Sequence, residues 1–282
     1  MHISQLNYYP LKSARAITLE EAVIGATGIP GDRRMMITDE TGMFITQRDL
    51  PILAKLSVIP QAKSTWIAMD GQGRIEVHHP DRQDRLDVVI WKSPVSAAVA
   101  DTATNNKLSQ WLGRQVRLVF FDEEAHRHAS EEWAGDGTSI TFVDGYQILI
   151  TTTASLGAIN ADMRANGDGE VGMERFRPNI VIETDEPWAE DRWASIEISG
   201  ITFDLVKPCA RCIMTTQDQK TGSRAVASPM PSMGRMRMSA ERRVPGPLFG
   251  WNAVPRNDGK VKIGDPIRVT AERNTAWPIR QR

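Results

Sequence analysis

Residues 196–205, Ile196-Glu197-Ile198-Ser199-Gly200-Ile201-Thr202-Phe203-Asp204-Leu205, alternate apolar and polar side chains on both sides of a Ser-Gly pair. This pattern is typical of a β-hairpin with a tight turn. The second strand of the hairpin leads into Lys207-Pro208-Cys209-Ala210-Arg211-Cys212, which contains both cysteines of the chain. The sequence therefore predicts a Cys-x-x-Cys pair delivered by an antiparallel hairpin.

The rest of the sequence also favours short strands over helices. Turn-forming residues precede the apolar runs Met43–Ile45 and Ile75–Val77, which indicates two more hairpins. Further strands are predicted at 116–121, 146–150 and 180–182, and the runs 261–263 and 267–269 are expected to close the sheet. Helices are predicted after Asp101, ending at Gly113, and after Thr152 or Thr153, ending before Gly167. We predict a β-rich, barrel-like α+β fold.

A polar, acidic segment at residues 122–137 separates the two halves of the sequence. It predicts an N-terminal β-barrel-like domain over residues 1–121 and a second β-barrel domain with a few helices over residues 122–282. The run from Glu123 to His128 contains metal-ligating residue types, but its composition favours a solvated linker.

Composition excludes several classes of protein. The 34 Lys+Arg residues nearly balance the 35 Asp+Glu residues, so no overall charge favours nucleic-acid binding. No run of apolar residues is long enough for a transmembrane helix, and no signal peptide is recognisable at the N-terminus, so we expect a cytoplasmic protein without a membrane partner. The 2 cysteines are too few for a disulfide framework or an iron–sulfur cluster of the protein's own.

The Cys-x-x-Cys pair has several chemical interpretations. Structural zinc needs four ligands, and none of the five histidines lies at finger-like spacing after Cys212. Thiol–disulfide exchange of the thioredoxin type expects a helix after the motif, whereas residues 213–216 favour a strand. Two inert buried thiols are disfavoured by the neighbouring Lys207 and Arg211. Cations beside a thiol favour the thiolate, the form that binds metals, so coordination of another soft metal is a further interpretation, and all four stay open on the residues alone.

Several further motifs, taken in order, resemble a known family: Tyr9-Pro10-Leu11-Lys12-Ser13, Gly31-Asp32-Arg33-Arg34, Phe142-Val143-Asp144, Phe176-Arg177-Pro178-Asn179-Ile180-Val181-Ile182, the cysteine pair with Thr215-Thr216, Pro247-Leu248-Phe249-Gly250 and Gly264-Asp265-Pro266. Their order and spacing resemble the MOSC-domain proteins that carry a MOSC N-terminal β-barrel domain, such as the mitochondrial amidoxime-reducing component and its bacterial relatives. The resemblance covers almost the whole chain.

The resemblance implies a molybdenum cofactor, a pterin dithiolene with a phosphate tail, held by one cysteine thiolate. By matching positions, Cys212 is the molybdenum ligand and a catalytic residue, with Cys209 as the fallback. Ala210 lies at a cofactor-contacting position where the family often has serine, so a hydroxyl contact is lost. The remaining cofactor-binding positions are Lys12, Ser13, Arg33, Asp144, Arg177 and Asn179. Asp144 is also the candidate for assisting proton delivery.

The resemblance further implies a molybdenum-containing oxidoreductase that reduces small N-hydroxylated substrates such as amidoximes, hydroxylamines and N-hydroxylated bases. Because two cysteines cannot hold an iron–sulfur cluster, electrons are expected from a separate ferredoxin or a haem or flavin protein. Two alternatives stay open. One is a sulfur- or molybdenum-cofactor-carrier protein that uses a cysteine of the same domain, and the other is a thiol-redox protein.

Overall fold

The computed structural model describes residues 1–61, 63–80 and 84–280, and it confirms the β-rich α+β class. The strands in these residues are β1 (His2–Tyr8), β2 (Ile17–Leu19), β3 (Glu21–Ile24), β4 (Met35–Thr38), β5 (Leu56–Pro60), β6 (Ser64–Met69), β7 (Gly73–His78), β8 (Arg85–Ile90), β9 (Ser93–Val99), β10 (Arg117–Phe120), β11 (Ile148–Thr152), β12 (Ile180–Glu183), β13 (Trp193–Ile198), β14 (Ile201–Ala210), β15 (Leu248–Pro255), β16 (Gly259–Lys262) and β17 (Ile267–Glu272). The α-helices are α1 (Thr102–Leu112), α2 (Glu131–Ala134), α3 (Thr153–Ala165) and α4 (Met230–Met236).

The largest sheet has the strand order β17-β13-β14-β15-β11-β12-β1-β2. The predicted hairpin forms its β13–β14 ladder, in which Ile198 pairs with Ile201. Both turn residues have positive φ, 49° at Ser199 and 79° at Gly200, which matches the twist of a tight hairpin. Because alternate residues of this ladder point into an apolar core that includes Phe203, the hairpin register is fixed by burial.

The first half also contains two smaller sheets, β4-β10-β9-β8 and β5-β6-β7. The predicted hairpin at Ile75–Val77 is confirmed as β6–β7, and Phe44 makes an isolated bridge back to Thr38. Helix α1 packs against these two sheets, with Leu108 and Trp111 in the apolar core that it shares with them. The side chain of Asp101 accepts a 2.8 Å hydrogen bond from the Thr104 amide and caps this helix.

Two expectations about the second half need correction. The runs 261–263 and 267–269 do not close one sheet together, because β16 pairs with β3 while β17 pairs with β13. The segment 122–137 is not simply a solvated linker. Arg127 is only 7 % exposed, and its buried Nη1 donates to two carbonyl oxygens, one of them that of Thr141 at 2.9 Å.

The two halves of the sequence are interwoven. Strand β1 pairs with β12, and β3 pairs with β16, so the first residues of the chain complete ladders of the second half. Helix α3 begins after its cap Thr152, as predicted, and connects β11 to the parallel strand β12. No helix among the described residues is long and apolar enough to cross a membrane.

Candidate functional site

A cavity of ≈ 350 Å³ lies where the two halves meet. Its walls come from the turn after β1, from the segment before β12 and from the end of β14. All eight sequence-predicted cofactor positions line it: Lys12, Ser13, Arg33, Asp144, Arg177, Asn179, Ala210 and Cys212. The fold therefore brings together residues that are up to two hundred positions apart in sequence.

The chain turns sharply after the second cysteine. Residues Ile213–Thr216 form a 3-10 helix, so the prediction of a continuing strand was wrong. Both the amide and the hydroxyl of Thr215 donate to the carbonyl oxygen of Cys212, at 3.2 and 3.1 Å. Threonine hydroxyls that donate to nearby backbone carbonyls compete with strand pairing, and at Thr215 this local hydrogen bond stabilises the turn instead of a strand. Cys212 therefore lies between the end of β14 and this 3-10 helix, outside any strand pairing.

The two thiols differ in their surroundings, and they form no disulfide. Cys209 is half-buried, and its Sγ accepts a 2.9 Å hydrogen bond from Arg211 Nη1. Cys212 is exposed, and its Sγ makes no hydrogen bond to any residue that the structure describes. Cys212 is thus the more accessible of the two sulfurs, and its assignment as the metal ligand stays a prediction.

The first half of the chain holds the loop that follows the cysteines. Gln47 and Gln219 exchange hydrogen bonds between their amide groups, and Gln217 Nε2 donates to the Gln47 carbonyl at 3.0 Å. Gly222, with φ at 75°, lies so close to the backbone of Pro51 that a Cβ atom would collide with it. The position of the cysteine loop therefore depends on the first half.

Lys12 and Asp144 form an ion pair across the floor of the cavity. Lys12 is 6 % exposed, and its Nζ lies 2.6 Å from Asp144 Oδ1 and 2.9 Å from the Phe142 carbonyl. The Asp144 side chain is 71 % exposed and lines the cavity, where the surrounding walls still desolvate it in part. Burial opposes its ionisation, yet the charge and hydrogen bond of Lys12 outweigh this and hold the pKa of Asp144 well below its usual range. Burial lowers the pKa of Lys12, and Asp144 counteracts this shift.

We expect the Lys12–Asp144 interaction to depend on pH in acid. A carboxylate with a depressed native pKa contributes stability above its unfolded value, near pH 4, and loses that contribution as the pH falls toward the native value. In a double-mutant cycle with Lys12→Met and Asp144→Asn, the coupling should be about 1 kcal/mol at pH 7, because exposure of the carboxylate weakens it. Urea unfolding from pH 7 to pH 3 measures it, and a coupling that does not shrink below pH 4 would contradict the assignment.

Two guanidinium groups pack against the ring of one tyrosine. The Cζ atoms of Arg33 and Arg177 are 4.0 and 4.3 Å from the ring centroid of the buried Tyr9. Arg177 Nη1 donates to the Ala14 carbonyl at 2.8 Å and to Gln219 Oε1 at 3.1 Å, whereas its Nη2 is buried without a partner. Burial lowers the pKa of Arg177 to about 10, so it stays charged at neutral pH.

The remaining predicted positions have different local roles. Asn179 is 1 % exposed. Its side-chain Oδ1 accepts a hydrogen bond from the Leu149 backbone N–H at 3.1 Å, and its Nδ2 donates to the Asn7 carbonyl at 3.2 Å. It holds β1 and β11 in place beside the cavity, and direct cofactor contact stays a prediction. Ser13 has φ at 68° and lines the cavity. Ala210 is exposed at the end of β14 and offers only a methyl group.

Backbone strain concentrates around this cavity. Six described non-glycine residues have positive φ, and four of them line it: Ser13, Arg33, Trp91 and Arg177. Such conformations cost about 1–3 kcal/mol each and are retained where surrounding contacts enforce them, often at functional sites.

Several lining residues were not among the predicted site positions. The cations among them are Arg48, Arg175, Lys207, Arg211 and Arg243. With Lys12, Arg33 and Arg177 they give the cavity eight cationic side chains, against the single carboxylate of Asp144 among its described lining residues. Lys207 and Arg211 flank the cysteines in sequence, but no local pattern places Arg48, Arg175 or Arg243 beside them, so only the folded chain reveals that all five converge. This excess of positive charge among the lining side chains favours an anionic ligand.

Comparison with known proteins supports this interpretation of the cavity. A family model described as MOSC domain matches residues 137–268, and one described as MOSC N-terminal beta barrel domain matches residues 1–115. The chain belongs to the MOSC-domain family. The proposed boundary between residues 121 and 122 falls in the interval between the matches and stays a prediction.

The relatives of this MOSC protein are distant but extend along most of it. It is 26% identical over 278 residues to mitochondrial amidoxime-reducing component 1 of Danio rerio, which covers 94% of this chain and 83% of the relative. The Homo sapiens protein of that name is 28% identical over 284 residues, covering 96% and 83%. A molybdenum cofactor sulfurase of Solanum lycopersicum is 24% identical over 302 residues, covering 96% of this chain but 36% of the sulfurase. These relatives indicate a function related to the molybdenum cofactor.

The cavity of this MOSC protein fits such a cofactor. Among the described residues, no three or more His, Cys, Asp or Glu side chains are grouped to hold a metal ion. A dithiolene-bound molybdenum carries most of its ligands with it, so a site that offers one thiolate, such as that of Cys212, fits it. Arg177 Nη2 and Arg211 Nε are buried donors without partners in walls that are rich in cations, which suits the phosphate of the same cofactor.

Proposed function

We propose that this protein binds the molybdenum cofactor through the Cys212 thiolate and reduces N-hydroxylated compounds such as amidoximes, hydroxylamines and N-hydroxylated bases. The observation that carries the proposal is the exposed, unpartnered Cys212 sulfur in a cavity with eight cations and one carboxylate. The similarity to amidoxime-reducing components favours this reaction over others of the family.

The chain's own residues divide the work of binding. Cys212 would supply the protein ligand to molybdenum, and Lys12, Arg33 and Arg177 would neutralise the phosphate. When bound, the cofactor supplies the two-electron chemistry that removes oxygen from nitrogen. Because Asp144 is ionised at neutral pH, its carboxylate can accept a proton or a hydrogen bond but is not itself a proton donor.

Electrons would come from a separate protein, a ferredoxin or a haem or flavin carrier, because 2 cysteines are too few to hold an iron–sulfur cluster, and Cys209 alone remains once Cys212 binds molybdenum. We further propose that the protein works in the cytoplasm and that its two domains divide at residues 121 and 122. Turnover with NADH and no added carrier would contradict the need for a partner.

The test begins with the full chain expressed in a cofactor-competent host with added molybdate. We expect about one molybdenum and one pterin per chain, and conversion of benzamidoxime to benzamidine with a reduced viologen dye as donor. Protein from a cofactor-deficient host is the matched control and should be inactive. A molybdenum-loaded protein that reduces neither benzamidoxime, hydroxylamine nor an N-hydroxylated base would refute the reductase.

The carrier function remains the second candidate, because the sulfurase relative contains a region similar to almost the whole chain. An exposed cysteine such as Cys212 is also what a persulfide carrier requires. Mass spectrometry of the metal-free protein distinguishes the two functions. A persulfide on Cys212, together with no reductase activity in the loaded protein, would favour the carrier.

A further inference from the structure

Trp91 lies at the tip of the β8–β9 hairpin, which is closed by the two-residue loop Trp91-Lys92 between the paired residues Ile90 and Ser93. The backbone of Trp91 is left-handed, with φ at 56°, where glycine or asparagine is the usual choice. Its side chain is 45 % exposed. A bulky aromatic residue in a strained backbone conformation beside a cavity is typical of a functional site.

The indole of Trp91 is nevertheless held in place. Its Nε1 donates to Asp144 Oδ1 at 3.3 Å, the ring of Phe44 packs at 5.4 Å between centroids, and Arg48 Cζ lies 4.5 Å from its ring. Three contacts from three different segments fix its orientation at the rim. The residue is therefore pre-organised and not a disordered surface side chain.

Arg48 offers hydrogen-bond donors at the same rim. Its Nε donates to Thr46 Oγ1 at 3.2 Å, but its two terminal nitrogens make no hydrogen bond, and the side chain makes no ion pair, with any residue that the structure describes. Both Arg48 and Trp91 line the cavity that contains Cys212. A flat aromatic surface beside a free guanidinium fork matches a planar conjugated molecule that carries an oxygen acceptor or a carboxylate.

We infer that Trp91 and Arg48 form a substrate subsite that selects planar, conjugated N-hydroxylated compounds, with Arg48 favouring those that bear an anionic group. The inference rests on the proposed reductase function and adds the substrate class. Trp91 supplies the aromatic contact, Arg48 the charged hydrogen bonds, and neither takes part in the reaction itself.

The decisive variant is Trp91→Asn, because asparagine tolerates the left-handed backbone, so loss of the indole does not add strain. With benzamidoxime we expect KM to rise about tenfold while kcat changes less than about twofold. With hydroxylamine, which has no ring, both constants should stay within about twofold of the wild type. Lys92→Ala, in the same loop but outside the cavity, is the matched control and should match the wild type with both substrates.

Arg48→Gln tests the charge preference. We expect 4-carboxybenzamidoxime to bind about tenfold more tightly than benzamidoxime to the wild type, and this advantage to disappear in the variant. Thermal unfolding and molybdenum content of each variant show whether the fold and cofactor are intact. For Trp91→Asn, an equal loss of kcat/KM with benzamidoxime and hydroxylamine, or no loss with either, would overturn the subsite.

Calorimetric titration of cofactor-loaded protein with benzamidoxime separates this inference from the reductase proposal. Binding of benzamidoxime that Trp91→Asn weakens about tenfold, without turnover of benzamidoxime, hydroxylamine or an N-hydroxylated base, would support the subsite as a binding site and refute the reductase. Turnover of benzamidoxime with equal affinity in the wild type and Trp91→Asn would support the reductase and refute the subsite. Absence of benzamidoxime binding to the wild type would refute the subsite as well.

Discussion

Cys212→Ala is expected to purify with at least about tenfold less molybdenum than the wild type and to lose reductase activity by about a hundredfold or more. The reason is that Cys212 would supply the protein's one ligand to the metal, in addition to the ligands of the cofactor itself. Elemental analysis, pterin fluorescence and benzamidoxime reduction measure the loss. Unfolding of the metal-free variant should be unchanged within about 0.5 kcal/mol, because an exposed side chain is truncated.

Cys209→Ala is the matched control, because it removes the other thiol of the same motif. Cys209 is half-buried and bonded to Arg211, so its loss should free Arg211 Nη1 but leave most of the molybdenum bound. The reverse pattern, with metal lost from Cys209→Ala and retained in Cys212→Ala, would identify Cys209 as the ligand. Full molybdenum content in both variants would show that neither thiolate is needed.

Arg177→Ala is expected to lower the free energy of unfolding by about 3 kcal/mol, because truncation of a buried side chain leaves a void and unpaired carbonyl groups. Arg177 is 8 % exposed and joins the Ala14 carbonyl of the first half to Gln219 of the second. Loss of a cation beside the phosphate position should also reduce the molybdenum content about tenfold. Urea unfolding of the metal-free protein separates the first effect from the second.

Two variants delimit this effect. Arg177→Lys keeps the charge without the planar fork, so its molybdenum content should lie between those of the wild type and Arg177→Ala. Arg235→Ala removes an arginine that pairs with Asp162 and Asp168 away from the cavity, and it should cost less than about 1 kcal/mol without changing the metal content. If Arg177→Ala changes the free energy of unfolding and the molybdenum content no more than Arg235→Ala does, Arg177 neither stabilises the cavity nor helps to bind the cofactor.

Local sequence patterns predicted the regular elements well where burial and turn chemistry agree. The β13–β14 hairpin has apolar alternation and a Ser-Gly turn, and α1 has both an aspartate cap and a terminal glycine. The strand predicted at 213–216 was wrong because β-branched residues there were judged by propensity alone. In the folded chain, hydrogen bonds of Thr215 to Cys212 decide the conformation.

The site was predictable in part, and only through family resemblance. The eight proposed residues do line one cavity, but which side chains point freely into it depends on contacts between distant segments. Asn179 is an example, because its amide is used by strands β1 and β11. Trp91 and Arg48 are the opposite case: nothing in their local sequence marks them, since their meeting depends on a hairpin tip folding over another loop.

The pairing of β1 with β12 also constrains how the molecule is made. Ser4 donates to the carbonyl of Val181, a residue 177 positions further along the chain. During synthesis the first strand leaves the ribosome long before its partner exists, and closing so long a loop slows folding. Because the cavity is lined by residues from Lys12 to Asn252, it is complete only after most of the chain has been made. Under the proposed function, cofactor loading would therefore be a late event for each chain.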